Sequence, residues 1–128
     1  TTRPEAGKAA PFAGPFARSG LGTVLGGLDV VVVPSRWYEN APFVVLEAQA
    51  AGVPVLASRH GGLAERIRHE ADGELFVPGD VADLRARLER LAREPERLAR
   101  YRANQPRIPT LAEHAERIFD LYASLRGR

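Results

Sequence analysis

The sequence predicts an α/β fold, in which a Rossmann-like parallel sheet is flanked by helices. The first observation is an apolar run, Asp29 to Val33, whose four consecutive valines leave no polar face. Such runs are typical of strands that are covered on both sides in the middle of a parallel sheet. The second observation is that short apolar runs alternate with helical patterns along the chain. This order produces parallel strands joined by right-handed crossovers.

The composition is that of one ordinary globular domain. The chain has 128 residues, of which 45% are hydrophobic and 27% charged, with a formal net charge of +2. It contains no cysteine, which excludes disulfides, thiol catalysis and zinc–thiolate sites. No apolar run approaches the roughly 20 residues that span a bilayer, so we expect a cytoplasmic protein.

Arginines alternate with acidic residues in the second half of the chain, as they do on solvated helix surfaces. No nucleic-acid partner is therefore expected. Peripheral contact between the arginine-rich segment 85–107 and the inner face of a membrane stays open as an alternative.

The amino-terminal stretch differs from the rest. Residues 1–10 are small and polar and the chain contains no methionine, so we expect them to be disordered or left from a boundary that is not native. The folded domain then covers 11–128. Pro11 to Phe16 holds too much proline for more than a short edge strand. Ser19 is expected to cap a short helix ending at Leu28, with an apolar face of Leu21, Val24, Leu25 and Leu28.

After the valine strand, the strand–helix order repeats. A helix is expected from Ala41 to Ala51, ended by Gly52. Pro54 to Ser58 has the pattern of a second buried strand, and a glycine loop then leads into a helix over 63–70. Glu74 to Val77 is the third strand.

Three helices complete the predicted domain. Asp80 caps the first, which runs to Arg93 and turns an apolar stripe toward the sheet: Val81, Leu84, Leu88 and Leu91. Pro95 begins a short helix through Tyr101, since proline is tolerated in a first helical turn.

Thr110 and Glu113 form a capping box that starts the terminal helix, over 110–126. Its apolar face is expected to be buried, and comprises Leu111, Ala115, Ile118, Tyr122 and Leu125.

Two glutamates mark a candidate site at the carboxyl end of the valine strand. In parallel sheets ligands bind at this edge, where a loop leads into the amino terminus of a helix. Glu39 lies in that loop, and Glu47 is the only charged residue of the helix. Because a buried, unpaired carboxylate is costly, Glu47 must face solvent, a partner or a ligand. An ordinary glutamate on an exposed stripe is the alternative.

The spacing of the two glutamates suits an extended ligand. Eight residues of helical rise correspond to about 12 Å, too far for two carboxylates to share one proton. A two-carboxylate glycosidase would need both groups across one cleft within about 10 Å. Backbone amides near Ala41 and Phe43 suit a phosphate, and carboxylates accept hydrogen bonds from sugar hydroxyls. A nucleotide sugar matches this combination.

The same stretch carries a family resemblance. Its motifs, in order, are the VPS strand end, two glutamates separated by seven residues, the AxGxPV step, the Gly61–Gly62 loop with Glu65, and GELFVPGD. Together they resemble the carboxyl-terminal, donor-binding domain of GT-B glycosyltransferases, the glycosyl transferases group 1, in the large family 4 of retaining enzymes. The resemblance covers roughly Pro11 to Tyr122.

The resemblance implies a role for each matching residue. Glu39 would be the catalytic residue, contacting the donor sugar and steadying its developing positive charge, and Glu47 would bind the ribose hydroxyls. The other implied substrate-binding residues are Ser35, Asn40, Ala41, Pro42, Phe43, Gly61 and Gly62. The nucleoside diphosphate sugar is then a substrate, with no further cofactor and no metal.

The chain also departs from the family pattern. Relatives carry an arginine and a lysine after the first strand of this domain, to neutralise the diphosphate, and neither is visible here. Arg36 or Arg59 is the candidate replacement. The amino-terminal acceptor domain is a missing partner, so this fragment alone is expected to be inactive. The truncated sheet edge invites a homodimer, and a non-catalytic Rossmann-like interaction module is the alternative function.

Several neighbouring side chains have two readings. Trp37 and Tyr38 either stack on a ligand or pack under the loop. His60 either reaches a phosphate or hydroxyl or is a loop histidine without chemistry. Glu65 either helps to form the donor pocket or is a first-turn helix acid. His69 and His114 are expected on charged helix faces, in structural roles.

Overall fold

The computed structural model describes residues 13–126. The expectations for residues 1–10 and for the first two residues of the proposed edge strand lie outside this range. The elements in chain order are a 3₁₀ turn Arg18–Gly20, α1 Leu21–Gly26, β1 Val31–Val33, α2 Phe43–Ala50, β2 Val55–Ser58, α3 Gly61–Arg66, β3 Gly73–Phe76, α4 Val81–Arg93, α5 Pro95–Ala103 and α6 Leu111–Arg126.

The sheet confirms the predicted α/β class. Its three strands are parallel, in the order β1-β2-β3, with Val33 opposite Ala57 and Ala57 opposite Leu75. The central strand of the described sheet is β2, which is buried throughout. The prediction that placed the valine strand in the middle is therefore wrong for residues 13–126: β1 pairs only with β2 there, and Val32 is 37% exposed.

Two apolar cores cover the two faces of the sheet. One lies under α1, α2 and α3 and includes Leu25, Val33, Val45, Ala48, Ala57 and Leu63. The other joins Leu56 and Phe76 of the sheet to Leu91 of α4 and Tyr101 of α5. None of the residues in the loops that follow the three strands, 34–42, 59–60 and 77–80, belongs to either core, so these loops can form a site.

The helix boundaries shift from the predicted ones for local reasons. Ser19 lies inside the 3₁₀ turn rather than at a cap, and the residue before that turn makes no side-chain cap. Gly52 follows α2 with a φ of +72°, the left-handed conformation expected at a helix end. The helix predicted over 63–70 ends at Arg66, because Ile67 adopts an extended backbone.

That early end takes His69 off any helix. His69 instead lies in the connection to β3, where its Nδ1 accepts a hydrogen bond from the amide of Leu75 at 3.0 Å. The expected structural role fits this contact, but the predicted helix face was wrong.

The cap of α4 is as predicted, but its stripe is not. The Asp80 carboxylate accepts from the amide of Asp83 at 2.9 Å, as an N-cap does. Leu91 is buried and Leu84 packs against the second core, whereas Val81 is 77% exposed and Leu88 37% exposed. Only half of the stripe therefore packs against the sheet, through Leu84 and Leu91.

The terminal helix has the predicted start and an unexpected surface. The Glu113 carboxylate accepts from the Thr110 amide at 2.7 Å, and the Glu113 amide donates to the Thr110 hydroxyl at 3.3 Å, which confirms the capping box. No residue of α6 is buried. The expected burial of its apolar face was wrong within residues 13–126, where Ala115 is the only member of that face that is even partly buried. None of the helices described is long and apolar enough to cross a membrane.

Candidate functional site

The carboxylate of Glu39 is held at the end of β1 by two neighbours in its own loop. The Ser35 hydroxyl donates to Glu39 Oε1 at 3.1 Å, and the indole Nε1–H of Trp37 donates to the same oxygen at 2.9 Å. Neither bond uses the second carboxylate oxygen. Glu39 itself is half-buried, so the loop fixes the direction of the group while leaving it accessible.

The two aromatic residues of the loop do not pack beneath it. Trp37 is 67% exposed and Tyr38 is 78% exposed. Trp37 contributes its indole N–H to Glu39, and the Tyr38 ring lies against the His60 ring with centroids 5.0 Å apart. Of the two readings of this pair, packing under the loop is wrong. Stacking on a ligand stays a prediction.

The amino terminus of α3 forms a platform against the backbone of this loop. The amide of Gly62 donates to the carbonyl of Glu39 at 2.6 Å. A Cβ added at Gly62 would lie 2.7 Å from the carbonyl oxygens of Glu39 and Asn40. Gly61 adopts a φ of +52°, and a Cβ added there would lie 3.1 Å from the carbonyl oxygen of Glu39. Glycine is therefore required here by a close approach of two backbones, and the substrate-binding role assigned to both glycines stays a prediction.

The amino terminus of α2 follows directly after the loop that carries Glu39. Asn40 and Ala41 are exposed, and buried Pro42 precedes the helix in an extended conformation. The helix begins at Phe43, two residues later than predicted, and this side chain is 72% exposed. The first amides of a helix have no helical partner and carry the positive end of its dipole. The first backbone amides of α2 are thus candidate hydrogen-bond donors close in sequence to Glu39.

Glu47 lies one turn into α2, on the stripe of Phe43. Its side chain is 31% exposed, and its carboxylate is 3.7 Å from the guanidinium of Arg18, which is 92% exposed. An ion pair so exposed contributes little to stability. Because α2 begins at Phe43, the segment from Glu39 to Glu47 is only partly helical, and the separation expected from helical rise alone does not apply.

Arg18 is the residue that the sequence reasoning missed. Arg59, one of the predicted replacements for the diphosphate cations, donates to the carbonyl of Leu75. Arg36, the other, is exposed and lines a cavity of about 390 Å³ with Pro34 and Asp80, on the α4 side of the sheet. The arginine nearest a site carboxylate comes instead from the turn before α1. Nothing local in the sequence signals this pairing across 29 positions.

A second polar cluster surrounds Glu74, which is buried in β3. Its carboxylate accepts from the Tyr101 hydroxyl at 3.0 Å, from Arg90 at 2.8 Å and from Arg87 at 3.3 Å. The sequence interpretation treated the arginines of α4 and α5 as solvated surface, which is wrong for Arg87 and Arg90. Because every contact of Glu74 is made by the protein, this cluster is part of the second core.

The pKa values around this cluster follow its contacts. Burial raises the pKa of the Tyr101 hydroxyl, even though Arg97 donates a hydrogen bond to it. The hydrogen bond from Arg90 lowers the pKa of Glu70. The amide of Val77 lowers the pKa of Asp83, with help from Arg87. Charged pairs thus surround the buried acid on its solvent side.

Within residues 13–126 no group of three or more His, Asp or Glu side chains is arranged to hold a metal ion. The other sequence candidates lie where their neighbours place them. Glu65 is exposed in α3, and His114 is exposed on α6.

The parallel sheet, its strand-end loop and the helix behind that loop define a Rossmann-like domain of the GT-B type. Solved structures agree. The Anabaena HepE protein in complex with UDP-glucose superimposes with a TM-score of 0.65 and 26% identity, over 69% of this chain and 24% of that one. The carboxyl-terminal domain of a group 1 glycosyl transferase from Francisella tularensis, LpcC, shares the fold with a TM-score of 0.64 and 22% identity, over 73% of this chain and 48% of that one.

The family is then clear from the sequence match. The sequence model of the protein family "Glycosyl transferases group 1" matches residues 6–107, so the chain belongs to this family. Similar curated proteins include the sulfoquinovosyl transferase SQD2 of Arabidopsis thaliana, 38% identical over 70% of this chain and 18% of that protein. Another is the D-inositol 3-phosphate glycosyltransferase of Rhodococcus opacus, 38% identical over 75% of this chain and 21% of that protein. The chain thus spans about a fifth of the length of these relatives.

Proposed function

We propose that this chain is the donor-binding part of a retaining glycosyltransferase, which moves a sugar from a nucleoside diphosphate sugar to an acceptor hydroxyl. The observation that carries the proposal is the half-buried Glu39, fixed by Ser35 and Trp37 directly before the amino terminus of α2. Membership of the group 1 family supports it, as does the likeness to a protein solved with UDP-glucose.

In this proposal the two glutamates take opposite ends of the donor. Glu47, on the partly exposed stripe of α2, accepts hydrogen bonds from the ribose hydroxyls. Glu39 accepts from hydroxyls of the sugar through the oxygen that its loop leaves unused. The diphosphate lies between them, at the amides that begin α2, with Asn40, Ala41 and Phe43 around it. Helix amino termini suit such anions because their amides and dipole both favour negative charge.

The chemistry that this arrangement supports is cleavage of the bond between the anomeric carbon and the diphosphate oxygen. The bonding electrons leave with the diphosphate, and the helix amides stabilise the charge that develops there. Glu39 stabilises the positive charge on the sugar. The acceptor oxygen attacks the anomeric carbon, and its proton passes to the departing diphosphate; for a retaining enzyme the attack comes on the face that the diphosphate leaves. Retention is supported by the resemblance alone, and the acceptor is held by residues other than those described.

Calorimetric titration of the folded chain with UDP-glucose tests the proposal, with other nucleoside diphosphate sugars as a panel. Glu47→Ala should weaken binding of the preferred donor by about tenfold or more, because a hydrogen bond to a charged group is worth roughly 1.5–3 kcal/mol. The control is Glu116→Ala, an exposed acid on α6, which should bind like the unmodified chain. A folded chain that binds no member of the panel would favour the non-catalytic interaction module.

Location and further partners belong to the same proposal. We place the protein in the cytoplasm, with no cofactor beyond its donor and with no metal. Membrane contact through 85–107 is the weaker option, because every arginine there except Arg100 is within ion-pair distance of a carboxylate. Pairing between the β1 edges of two copies is a separate option that light scattering of the chain would test.

A further inference from the structure

The side chain of His60 connects the platform of α3 to the loop that carries Glu39. Its Nε2 lies 2.9 Å from the carbonyl oxygen of Ser35. A carbonyl can only accept, so this contact requires a proton on Nε2. The bond joins residues 25 positions apart and is the side-chain link between the two segments.

The environment of the imidazole restricts its position beyond the contact with Ser35. The Tyr38 ring lies against it, with a centroid distance of 5.0 Å and an interplanar angle of 44°. Its Nδ1 is buried and has no hydrogen-bond partner among residues 13–126. The backbone of His60 is fixed by a bond from its amide to the carbonyl of Ser58 at 3.0 Å. The ring is therefore placed by its surroundings and directed at Ser35.

Ser35 passes this constraint on to Glu39. Its carbonyl faces His60, while its hydroxyl donates to Glu39 Oε1. A shift of the Ser35 backbone therefore moves the donor that orients the carboxylate. The only other tie between α3 and this loop among the described hydrogen bonds is backbone to backbone, from Gly62 to Glu39. That hydrogen bond holds the backbone of Glu39 against α3 but does not contact the Glu39 carboxylate.

We propose that His60 is a positioning residue, which orients the Glu39 carboxylate through the carbonyl and hydroxyl of Ser35. The importance of that orientation for sugar transfer rests on the proposed function, but the orientation itself is a property of the unliganded chain. This role differs from both readings that the sequence left open, a ligand contact and a loop histidine without chemistry.

The unmodified chain gives the first test. Long-range ¹H–¹⁵N correlation of the histidine rings should show His60 with its proton on Nε2. A neutral His60 protonated on Nδ1 instead would overturn the proposal, because that tautomer cannot donate to Ser35.

Three variants form the second test. Glutamine carries its amide nitrogen about where histidine has Nε2, and asparagine carries it where histidine has Nδ1. His60→Gln should therefore keep the bond to Ser35, whereas His60→Asn and His60→Ala lose it. A merely structural role would make the two amides similar, since both fill part of the space of the ring.

Trp37 supplies the readout. It is the only tryptophan of the chain, and its indole N–H bonds Glu39, so one ¹H–¹⁵N indole signal reports the carboxylate's orientation without any ligand. Glu39→Ala gives the position of the unbonded indole. The signals of His60→Asn and His60→Ala should move toward that position, while His60→Gln stays near the unmodified chain. An indole signal unchanged in all three variants would sink the proposal.

Donor titration separates this inference from the proposed function. UDP-glucose binding, or that of the preferred donor, should weaken about tenfold in the Asn and Ala variants and stay within about twofold in Gln, as expected for one hydrogen bond. If no donor binds even the unmodified chain while the indole signals shift as described, the proposed function fails and the positioning role stands. Normal donor binding in His60→Ala with a shifted indole signal would support the positioning of Glu39 by His60 and would overturn the importance of that positioning for donor binding.

Discussion

Two glutamates of this small domain are held in opposite ways. Glu74 is 1% exposed and accepts from a tyrosine hydroxyl and two arginines, so its hydrogen bonds are all made within the fold. Glu39 is half-buried and accepts two neutral donors on one oxygen only. A carboxylate saturated by its own protein serves the core. One that is oriented but unsaturated is available to a ligand, and this difference separates the candidate site residue Glu39 from the core residue Glu74.

The largest expected effect separates the two glutamates by stability. Glu74→Ala should lower the free energy of unfolding by about 3 kcal/mol, because the Tyr101 hydroxyl loses its acceptor and Arg90 keeps only its bond to Glu70. Glu39→Ala should change it by less than about 1 kcal/mol, since its two partners are neutral donors on half-buried Ser35 and exposed Trp37. Urea unfolding followed by circular dichroism gives both values.

Ligand binding should show the reverse order. Glu39→Ala should weaken donor binding by about tenfold or more, while folded Glu74→Ala binds like the unmodified chain. If Glu39→Ala were the more unstable variant of the two, the contrast between a structural and a functional carboxylate would be lost.

The next effect concerns the backbone under Glu39. Gly62→Ala places a Cβ 2.7 Å from two carbonyl oxygens of the loop, and we expect a loss of about 1–3 kcal/mol in stability, as for other overpacked sites. Donor binding should fall as well, because the displaced backbone carries Glu39. Calorimetry and urea unfolding measure the two quantities.

Gly22→Ala is the matched control for this change. Gly22 also lies inside a helix, and a Cβ there meets nothing within 4 Å. It should stabilise the chain by about 0.5–1 kcal/mol, because alanine is the better helix former. Equal effects at both positions would mean that the glycine platform does not constrain the loop.

A smaller effect is expected from the cap of α4, on the side of Glu74. Asp80→Ala removes the bond to the Asp83 amide and should cost about 1 kcal/mol of stability. Donor binding should not change, since α4 packs on the face of the sheet away from α2. Asp80→Asn should recover most of the stability, because asparagine caps nearly as well. Weaker donor binding in folded Asp80→Ala would place α4 within the functional region.

The sequence predicted those features that depend on neighbours in the chain. The valine strand, the Asp80 cap and the Thr110–Glu113 box are set by residue types within a few positions, and the structure confirms them. The GT-B resemblance also rests on local motifs. It identified the loop around Glu39 as the candidate site.

What the sequence did not reveal depends on contacts between distant positions. In the sequence, Glu74 is simply the first residue of a predicted short strand. Its hydrogen-bond donor Tyr101 lies 27 residues later, so no local pattern predicts the contact. The link from His60 to Ser35 spans 25 residues. The face of α6 looked like a core surface, since amphipathic spacing shows that a face can be buried but not what covers it.

The smallest expected effect is a pH dependence at the edge of the Glu74 cluster. His69 accepts the Leu75 amide through Nδ1, and burial lowers its pKa from the usual 6.5, aided by Arg59 and Arg87. The unfolded chain therefore binds a proton more readily than the folded one. The contribution of neutral His69 to stability is complete above the pKa that His69 has in the unfolded chain. It is lost as the pH falls from that value toward the lower pKa that His69 has in the folded chain.

Urea unfolding at pH 7.5 and at pH 5.5 tests this. The unmodified chain should lose more stability between the two values than His69→Asn, whose side-chain oxygen can accept the same amide and does not titrate. The depressed carboxylates Glu70 and Asp83 stay ionised across this window, because their pKa values lie below their already acidic reference values. Identical losses in both proteins would show that His69 is not the group responsible. The pH dependence would then add nothing to the comparison of Glu39 with Glu74, which would rest on the hydrogen bonds of the two carboxylates alone.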